Sequence, residues 1–383
     1  MRRLVVLLLL SAFFVADAHA TSQPPSFRAR AAIVADGATG DVLLERNADL
    51  RVPIASITKI MTALVTLENT RPNERVVVRG QAPSIGESTI HLAVGERIRV
   101  RDLLAAALVQ SANDAAYALA THVGDGSVKR FVALMNERAA ELGLDDTHFV
   151  RPDGLDVAGH YSSARDVLTL TREAMQRPLF RELVRRRGGE IAGGRSLYAW
   201  NDLLRTHSYA GIIGVKTGHT DAAGWSQVAA ARRDGVTVYA IVLGSPGRAR
   251  RNADLAKLLD WGFGHYGRVA LARANRVYAS VAAPYSDERI PLVAPRTTTR
   301  VVRLSRPLVE RVVAPAVIDL PVQVGDPVGE IIILDGERVV LRRPLVAGQA
   351  ADDANMAEKV GWYAGRAVDE AGEMLESVFG AFG

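Results

Sequence analysis

The chain has 383 residues, of which 48% are hydrophobic and 23% are charged, and its formal net charge at pH 7 is +5. This length is enough for two domains, each with its own core. The absence of cysteine excludes disulfide bonds, thiol nucleophiles and cysteine-based metal sites, and the small positive charge indicates no particular partner.

The N-terminus has the pattern of an export signal. Met1-Arg2-Arg3 is basic, residues 4–15 form an apolar run, and Ala18-His19-Ala20 resembles a cleavage site. The apolar run is too short to span a bilayer comfortably, which favours cleavage over an uncleaved anchor. We therefore expect residues 1–20 to be a signal peptide and the protein to be exported, to the periplasm or the outer face of the cytoplasmic membrane. Export removes nucleic acid from the expected partners.

The first predicted elements lead to a serine and a lysine on one helix. Residues 31–35 and 41–44 are apolar segments around a glycine-containing turn, which predicts two adjacent strands. Beyond Pro53 apolar residues recur at helical spacing, and Ser56 lies at or near the start of this helix. The spacing of three residues places Lys59 on the same helix face as Ser56, one turn further along.

A second serine lies in a short link between two predicted helices. Helical patterns cover residues 102–109 and 114–123, and Ser111-Ala112-Asn113 falls between them. Asn113 and Asp114 are residue types favoured at N-caps, so the sequence predicts that they cap the later helix. Two further helices are predicted, at residues 127–142 and 163–175.

The hydrophobic period then changes to that of strands. Residues 211–216, 225–231 and 236–243 predict three strands, and their close spacing predicts an antiparallel meander. Lys216-Thr217-Gly218 ends the first strand, where strict alternation would direct the lysine and the threonine to opposite faces. Both can serve one site only if this strand is an edge strand or twists sharply there. Gly218 fits a place where a ligand approaches the backbone closely.

The last third of the chain predicts a β-rich region and a helical tail. A helix at residues 253–263 is followed, beyond about His265, by short segments rich in Val, Arg and Pro, which predict an all-β domain. From residue 355 onward apolar residues follow helical spacing, as in an amphipathic helix that lies in a membrane interface. The polar face of this tail is acidic and glycines interrupt it, so docking on the β-domain or on another subunit is the alternative.

The three short motifs together describe an acyl-transfer site in which a lysine is the base. They are Ser56-Ile57-Thr58-Lys59, Ser111-Ala112-Asn113 and Lys216-Thr217-Gly218. With flanking stretches such as Gly154-Leu155-Asp156 and residues 161–166, the chain resembles the serine D-alanyl-D-alanine carboxypeptidases, the low-molecular-mass penicillin-binding proteins of peptidase family S11. The segment 198–204 fits that family only loosely, and no role is carried over to it.

The resemblance implies an α+β fold with a penicillin-binding, serine β-lactamase-like catalytic domain. In such a domain an antiparallel sheet is flanked by helices, and we assign it to residues 21–265. A small all-β sandwich domain over 266–350 and the amphipathic tail over 351–383 would follow. The implied substrate is a peptidoglycan stem peptide ending in D-Ala-D-Ala, β-lactams would be covalent inhibitors, and no cofactor is implied.

The resemblance also implies roles for the catalytic residues. Ser56 would attack the carbonyl between the two D-alanines, expel the terminal one and form an acyl-enzyme that water hydrolyses. Lys59 can take the serine proton only when neutral, so we expect burial and the nearby cation Lys216 to lower its pKa. Ser111 would relay a proton between Lys59, Lys216 and the departing amine; the alternative is a capping serine.

A further set of residues is implied to hold the substrate. Asn113 would hydrogen-bond the substrate's amide, Lys216 and Thr217 would bind the terminal carboxylate, and Gly218 would adjoin them. The backbone N–H groups of Ser56 and His219 would form the oxyanion hole. Arg251, ten residues before Trp261, is either a second carboxylate ligand or an ordinary arginine of the solvated surface.

Metal chemistry has no support in the sequence. The remaining histidines show no close metal-ligand spacing, so a zinc carboxypeptidase is disfavoured. We expect these histidines to be scattered and solvated: His91, His122, His148, His160, His207 and His265.

Three rival functions remain open. The nearest is a D,D-endopeptidase of the same family, which cleaves cross-links; the β-domain favours the carboxypeptidase because such endopeptidases typically lack it. A β-lactamase is less favoured because no segment offers the class A deacylating glutamate in a recognisable context. A non-catalytic wall-binding protein would not need all three motifs intact.

Overall fold

The structure is a computed structural model that describes residues 6–13 and 23–364. The chain divides into two compact units, one running from Thr21 to Gly264 and the other containing His265 to Gly383 together with the N-terminal segment. The predicted tail from residue 365 onward lies outside the described residues.

The strands up to residue 245 are, in chain order, β1 (Val6–Phe13), β2 (Ala31–Asp36), β3 (Val42–Arg46), β4 (Arg75–Val77), β5 (Arg97–Arg99), β6 (Gly188–Ile191), β7 (Arg195–Tyr198), β8 (Ile212–Thr220), β9 (Gly224–Arg233) and β10 (Val236–Ser245). The α-helices are α1 (Lys59–Asn69), α2 (Val100–Ala105), α3 (Asn113–Val123), α4 (Val128–Glu141), α5 (Ala164–Ala174), α6 (Pro178–Val184), α7 (Asp202–Arg205) and α8 (Arg248–Phe263). Short 3-10 turns cover Ala55–Thr58 and Ala82–Ser84, and a π-helical turn covers Ala106–Gln110.

A five-stranded antiparallel sheet forms the centre of the first unit. Its order is β3-β2-β10-β9-β8, so the predicted meander is confirmed and the predicted N-terminal hairpin joins it beside β10. Every residue of β2 is buried because helices α5 and α8 both pack on β2 and β10. Strand β8 lies at the edge, which is one of the two arrangements predicted to let Lys216 and Thr217 serve one site. It continues to Thr220, so the prediction that it ends at the Lys216 triplet was wrong.

Helix ends follow local side-chain chemistry in some places and tertiary contacts in others. The Ser127 and Ser163 side chains cap α4 and α5 by accepting backbone N–H groups, close to the predicted starts. The prediction that Asn113 or Asp114 caps α3 was wrong, because the N-cap is Ala112 and both side chains bind elsewhere. The predicted helix over 102–109 becomes α2 followed by the π-helical turn, which ends at Ser111.

The second unit is rich in β-structure, which confirms the predicted α+β class. Its sheets share one hydrophobic core that includes Leu271, Val302, Ile331 and Leu345. The sheet of six strands has the order β1-β15-β16-β17-β13-β12, and a pair is formed by β11 and β14. These strands are β11 (Tyr266–Ala272), β12 (Val277–Ala282), β13 (Arg289–Val293), β14 (Thr298–Arg303), β15 (Leu308–Pro315), β16 (Pro327–Asp335) and β17 (Arg338–Ala347).

Both ends of the chain meet this β-rich unit. Strand β1, inside the predicted signal peptide, pairs antiparallel with β15 in the full-length chain. At the other end residues 356–364 form a helix. Among the described residues no helix combines the length and apolarity needed to cross a bilayer.

Candidate active site

Ser56 lies in a tight turn, and two glycines allow other segments of the chain to pack closely against this turn. Ser56 lies in the 3-10 turn directly before α1, and Ala55 has a φ of +50°. A Cβ atom on Gly154 would overlap the Ala55 carbonyl oxygen, and one on Gly218 would lie 2.7 Å from the Ile54 carbonyl oxygen. Gly218 was predicted to lie where a ligand approaches the backbone closely. In the structure the group packed most closely against Gly218 is the protein's own backbone at the serine turn.

Lys59 is fully buried and its amine lies against three acceptors. Nζ donates to Ser56 Oγ at 2.7 Å, to Asn113 Oδ1 at 2.7 Å and to the Asp153 carbonyl oxygen at 2.8 Å. The predicted placement of Lys59 over Ser56 is therefore present in the structure. The Asp153 carbonyl was not predicted, because a backbone oxygen carries no side-chain signature in the sequence.

Burial lowers the pKa of Lys59 to about 8. The Arg151 guanidinium contributes to this lowering, while the carboxylates of Asp153, Glu87 and Asp114 oppose it. Lys216 was expected to be the cation that lowers it, and the two buried amines do repel each other. The pKa of Lys216 lies well below its usual value because of burial and because of the charges of Lys59 and Arg251.

Ser111 belongs to the Lys216 side of the site. Lys216 Nζ donates to Ser111 Oγ at 2.8 Å and to the Thr217 carbonyl oxygen at 2.9 Å. Ser111 has a φ of +67° where the π-helical turn ends. The hydrogen bonds of Lys59 go to Ser56, Asn113 and Asp153, so the relay of a proton through Ser111 stays a prediction.

Asn113 joins the lysine to the loop before β5. Its backbone N–H donates to the Ser88 carbonyl oxygen at 2.7 Å, and its Nδ2 donates to the Gly86 carbonyl oxygen at 3.0 Å. The neighbouring Asp114 carboxylate accepts the backbone N–H groups of Ile90 and Leu92. The middle motif therefore fixes the conformation of this loop as well as binding Lys59.

The buried contact between His160 and Thr58, the residue before α1, was not predicted. His160 Nε2 lies 2.8 Å from Thr58 Oγ1, and its Nδ1 accepts the Val150 backbone N–H at 3.0 Å. Burial lowers the pKa of His160 to about 4, so the ring is neutral at pH 7. The expectation that this histidine is solvated was wrong. Arg151 and Asp153 form an ion pair with two hydrogen bonds, from Nε to Oδ1 at 2.5 Å and from Nη2 to Oδ2 at 2.9 Å.

Arg251 is a buried residue of α8. Only 2% of its side chain is exposed, so the alternative of a solvated surface arginine was wrong. Burial lowers its pKa to about 10, while Asp202, 3.7 Å away, raises it. The charge of Arg251 is one of the causes that lower the pKa of Lys216. Lys216 and Thr217 are buried as well.

His219 projects to the surface beyond this cationic pair. Its ring stacks on Trp225 of β9, with centroids 3.9 Å apart, and Trp225 also lies 5.8 Å from the Arg251 guanidinium carbon. The stacking accounts for the side chain without a catalytic role. Within residues 6–13 and 23–364 no group of three His, Asp or Glu side chains is arranged to hold a metal ion.

Comparison with known proteins places this geometry in a family. The family model for D-alanyl-D-alanine carboxypeptidase, peptidase S11, matches residues 18–247. D-alanyl-D-alanine carboxypeptidase DacA of Escherichia coli K12 is 32% identical over 391 residues, covering 94% of each chain. The enzyme DacF of Bacillus subtilis is 33% identical over 280 residues, covering 71% of each.

Solved structures agree with the family match. Penicillin-binding protein 5 of Haemophilus influenzae has a TM-score of 0.62 at 25% identity and covers 86% of this chain and 99% of its own. A mutant Streptomyces K15 DD-transpeptidase has a TM-score of 0.58 at 35% identity, over 62% of this chain and 99% of its own. The chain therefore belongs to the peptidase S11 family of serine-type D-alanyl-D-alanine carboxypeptidases.

Proposed function

We propose that the protein removes the terminal D-alanine from peptidoglycan stem pentapeptides through an acyl-enzyme on Ser56. As a member of its family the protein is a serine-type D,D-carboxypeptidase. The observation that carries the residue assignment is the 2.7 Å hydrogen bond between Lys59 Nζ and Ser56 Oγ. A base at this distance from a serine hydroxyl can take its proton during attack.

In the proposed reaction neutral Lys59 removes the Ser56 proton as Oγ attacks the carbonyl carbon between the two D-alanines. The C–N bond then breaks, the departing amine receives a proton, and Ser56 holds the acyl group until water releases it. Ser111, whose hydroxyl accepts the Lys216 hydrogen bond, is suited to pass its own proton to the amine. The proton that Lys59 removed from Ser56 then restores the Ser111 hydroxyl, so that Lys59 is neutral again when water attacks the acyl group. The backbone N–H groups of Ser56 and His219 would stabilise the oxyanion, since β8 packs on the serine turn.

The terminal carboxylate of the substrate would bind to Lys216, Thr217 and Arg251. Two buried cations repel each other, and an anion between them relieves that repulsion, so a free C-terminus is favoured over a neutral one. Asn113 keeps one N–H of its amide for the substrate, because Nδ2 has two hydrogens and Gly86 accepts one. β-Lactams would acylate Ser56 by the same attack.

The endopeptidase of the same family remains the alternative. It would use the same Ser56 chemistry on a cross-linked peptide, and the two functions differ only in the leaving group. The presence of the β-rich unit supports the carboxypeptidase. A non-catalytic wall-binding function does not require the buried lysines, which cost folding free energy where they lie.

We also propose that the exported protein associates with the membrane surface through residues 355–383. In the described part of this segment Met356, Val360 and Tyr363 are 76%, 62% and 63% exposed, at helical spacing. Support for docking on the protein comes from Tyr363, whose ring centroid lies 5.9 Å from that of Tyr285. The membrane proposal therefore needs a direct test.

Replacing Ser56 tests the function. The Ser56→Ala variant, incubated with purified muropeptides, should release D-alanine at least roughly 10⁴-fold more slowly and lose labelling by fluorescent penicillin, because the nucleophile is gone. The control is Ser196→Ala, an exposed serine on β7, which should match the wild type. Retained release by Ser56→Ala contradicts the proposal. Conversion of dimers to monomers without free D-alanine indicates the endopeptidase.

The pH dependence tests Lys59 as the base. Because only the neutral amine accepts a proton, kcat/KM for D-alanine release should rise with pH through the pKa of about 8 and level off above it. Lys59→Arg, which stays protonated, should be inactive, whereas Lys129→Arg on the exposed face of α4 should keep the wild-type profile. A flat profile between about pH 6 and 9 rules out this role.

Substituting Arg251 tests the carboxylate site. Arg251→Gln should lower kcat/KM for a peptide ending in a free carboxylate by about 10- to 100-fold, the worth of a charge-assisted hydrogen bond. The same variant should change the rate on the matching C-terminal amide far less. The neighbouring Arg250→Gln, whose side chain is 41% exposed, is the control. An equal loss on both peptides means that Arg251 has only a structural role.

Truncation tests the tail. Deleting residues 355–383 should move the protein from the membrane to the soluble fraction of lysed cells, because the apolar stripe is removed. The fractions can be compared by labelling with fluorescent penicillin, which also reports an intact active site. If the full-length protein is already in the soluble fraction, the membrane proposal fails and docking on the β-rich unit is favoured.

A further inference from the structure

Glu87, a residue outside the three motifs, has a strained backbone conformation. Among the described residues, six of the non-glycine positions with positive φ are Asn, Asp or His, which adopt this conformation comparatively readily. The others are Ala55, Glu87, Ser111 and Tyr285. Ala55 precedes the nucleophile and Ser111 accepts the Lys216 hydrogen bond, in line with the clustering of such strain at functional sites. Glu87 has a φ of +65° and belongs to none of the three motifs.

Glu87 is held beside the active site from both sides. The carbonyl before it, that of Gly86, accepts Asn113 Nδ2, and the carbonyl after it, that of Ser88, accepts the Asn113 backbone N–H. The same Asn113 accepts the hydrogen bond of Lys59 Nζ. The Ser88 hydroxyl donates to the Gln110 carbonyl, next to Ser111 in the chain. The strained position is therefore fixed by the residues that build the site.

Glu87 also differs from the other acids around Lys59. The Asp153 carboxylate is paired with Arg151, and that of Asp114 accepts backbone N–H groups. Glu87 is exposed, and among the described residues its carboxylate takes part in no hydrogen bond or ion pair. Its charge nevertheless reaches the site, since it raises the pKa of both Lys59 and Arg151. It is an unpaired negative charge at the margin of a cationic site.

We propose that Glu87 is a specificity-determining residue that selects peptides carrying a primary amine on the residue before D-Ala-D-Ala. The inference rests on the proposed function, in which the terminal carboxylate binds at Lys216 and Arg251. Asn113, which is proposed to bind the substrate's amide, donates hydrogen bonds to the carbonyl oxygens of Gly86 and Ser88 on either side of Glu87. The side chain of the preceding substrate residue then comes next to this carboxylate, which attracts a cation and repels an anion.

Two peptides that differ by one charge test the selection. Both end in Lys-D-Ala-D-Ala with the α-amine acetylated, and the lysine ε-amine is free in one and acetylated in the other. At low salt the wild type should show a kcat/KM for the free amine about fivefold higher, as for an exposed ion pair, and the ratio should fall with added salt. Glu87→Gln should bring the ratio to about one.

A matched variant and a second readout separate selection from a structural effect. Glu137→Gln removes the same charge from an exposed position on α4 and should keep the wild-type ratio. With the acetylated peptide, Glu87→Gln should shift the acidic limb of the kcat/KM profile to lower pH, since one of the acids that raise the pKa of Lys59 is lost. The other charges facing Lys59 are unchanged in this variant: Asp153, Asp114, Arg151 and Lys216.

A glycine variant guards against misfolding as an explanation. Glu87→Gly removes both the charge and the strained side chain, so its thermal midpoint should rise while the selectivity is lost as in Glu87→Gln. If Glu87→Gln keeps the wild-type ratio, or slows both peptides equally, the proposal is overturned. If the wild type releases D-alanine from neither peptide, the proposed function itself is contradicted. Labelling by fluorescent penicillin shows that each variant is folded.

Discussion

The active site depends on one buried amine. Lys59 Nζ has lost its hydration and is satisfied by Ser56, Asn113 and the Asp153 carbonyl, which lie on three separate segments of the chain. A buried amine without these acceptors would be strongly destabilising, so the three segments must arrive together. The same burial lowers the pKa of Lys59 into the range where a lysine can act as a base.

Close backbone contact makes this convergence sterically feasible. Gly154 and Gly218 let two segments approach the serine turn where any side chain would collide with the Ala55 or Ile54 carbonyl. The positive φ values of Ala55 and Ser111 are maintained by this packing and by the Lys216 hydrogen bond. The positions of the nucleophile and of its neighbours are therefore set by backbone contacts as much as by side chains.

Charge is distributed unevenly across the site. Lys216 and Arg251, the residues proposed to bind the substrate carboxylate, are buried, while Glu87 places an unpaired negative charge at the exposed margin. In the proposed function this arrangement would orient a substrate that has an anionic end and a cationic side chain before close contact forms. Asn113 links Lys59 to the segment that carries Glu87, because it accepts from Lys59 Nζ and donates to the carbonyl oxygens on both sides of Glu87.

The sequence by itself determined the features that depend on local spacing and capping along the chain. Helical spacing placed Lys59 one turn from Ser56, serine caps set the starts of α4 and α5, and three closely spaced strand segments predicted the meander. The family followed from motifs that need no three-dimensional information. Only the tertiary structure decided the burial of Arg251 and His160, the carbonyl contact to Lys59 and the strained placement of Glu87. These features arise between segments far apart in the chain, 94 residues for Lys59 and Asp153, where neither periodicity nor capping acts.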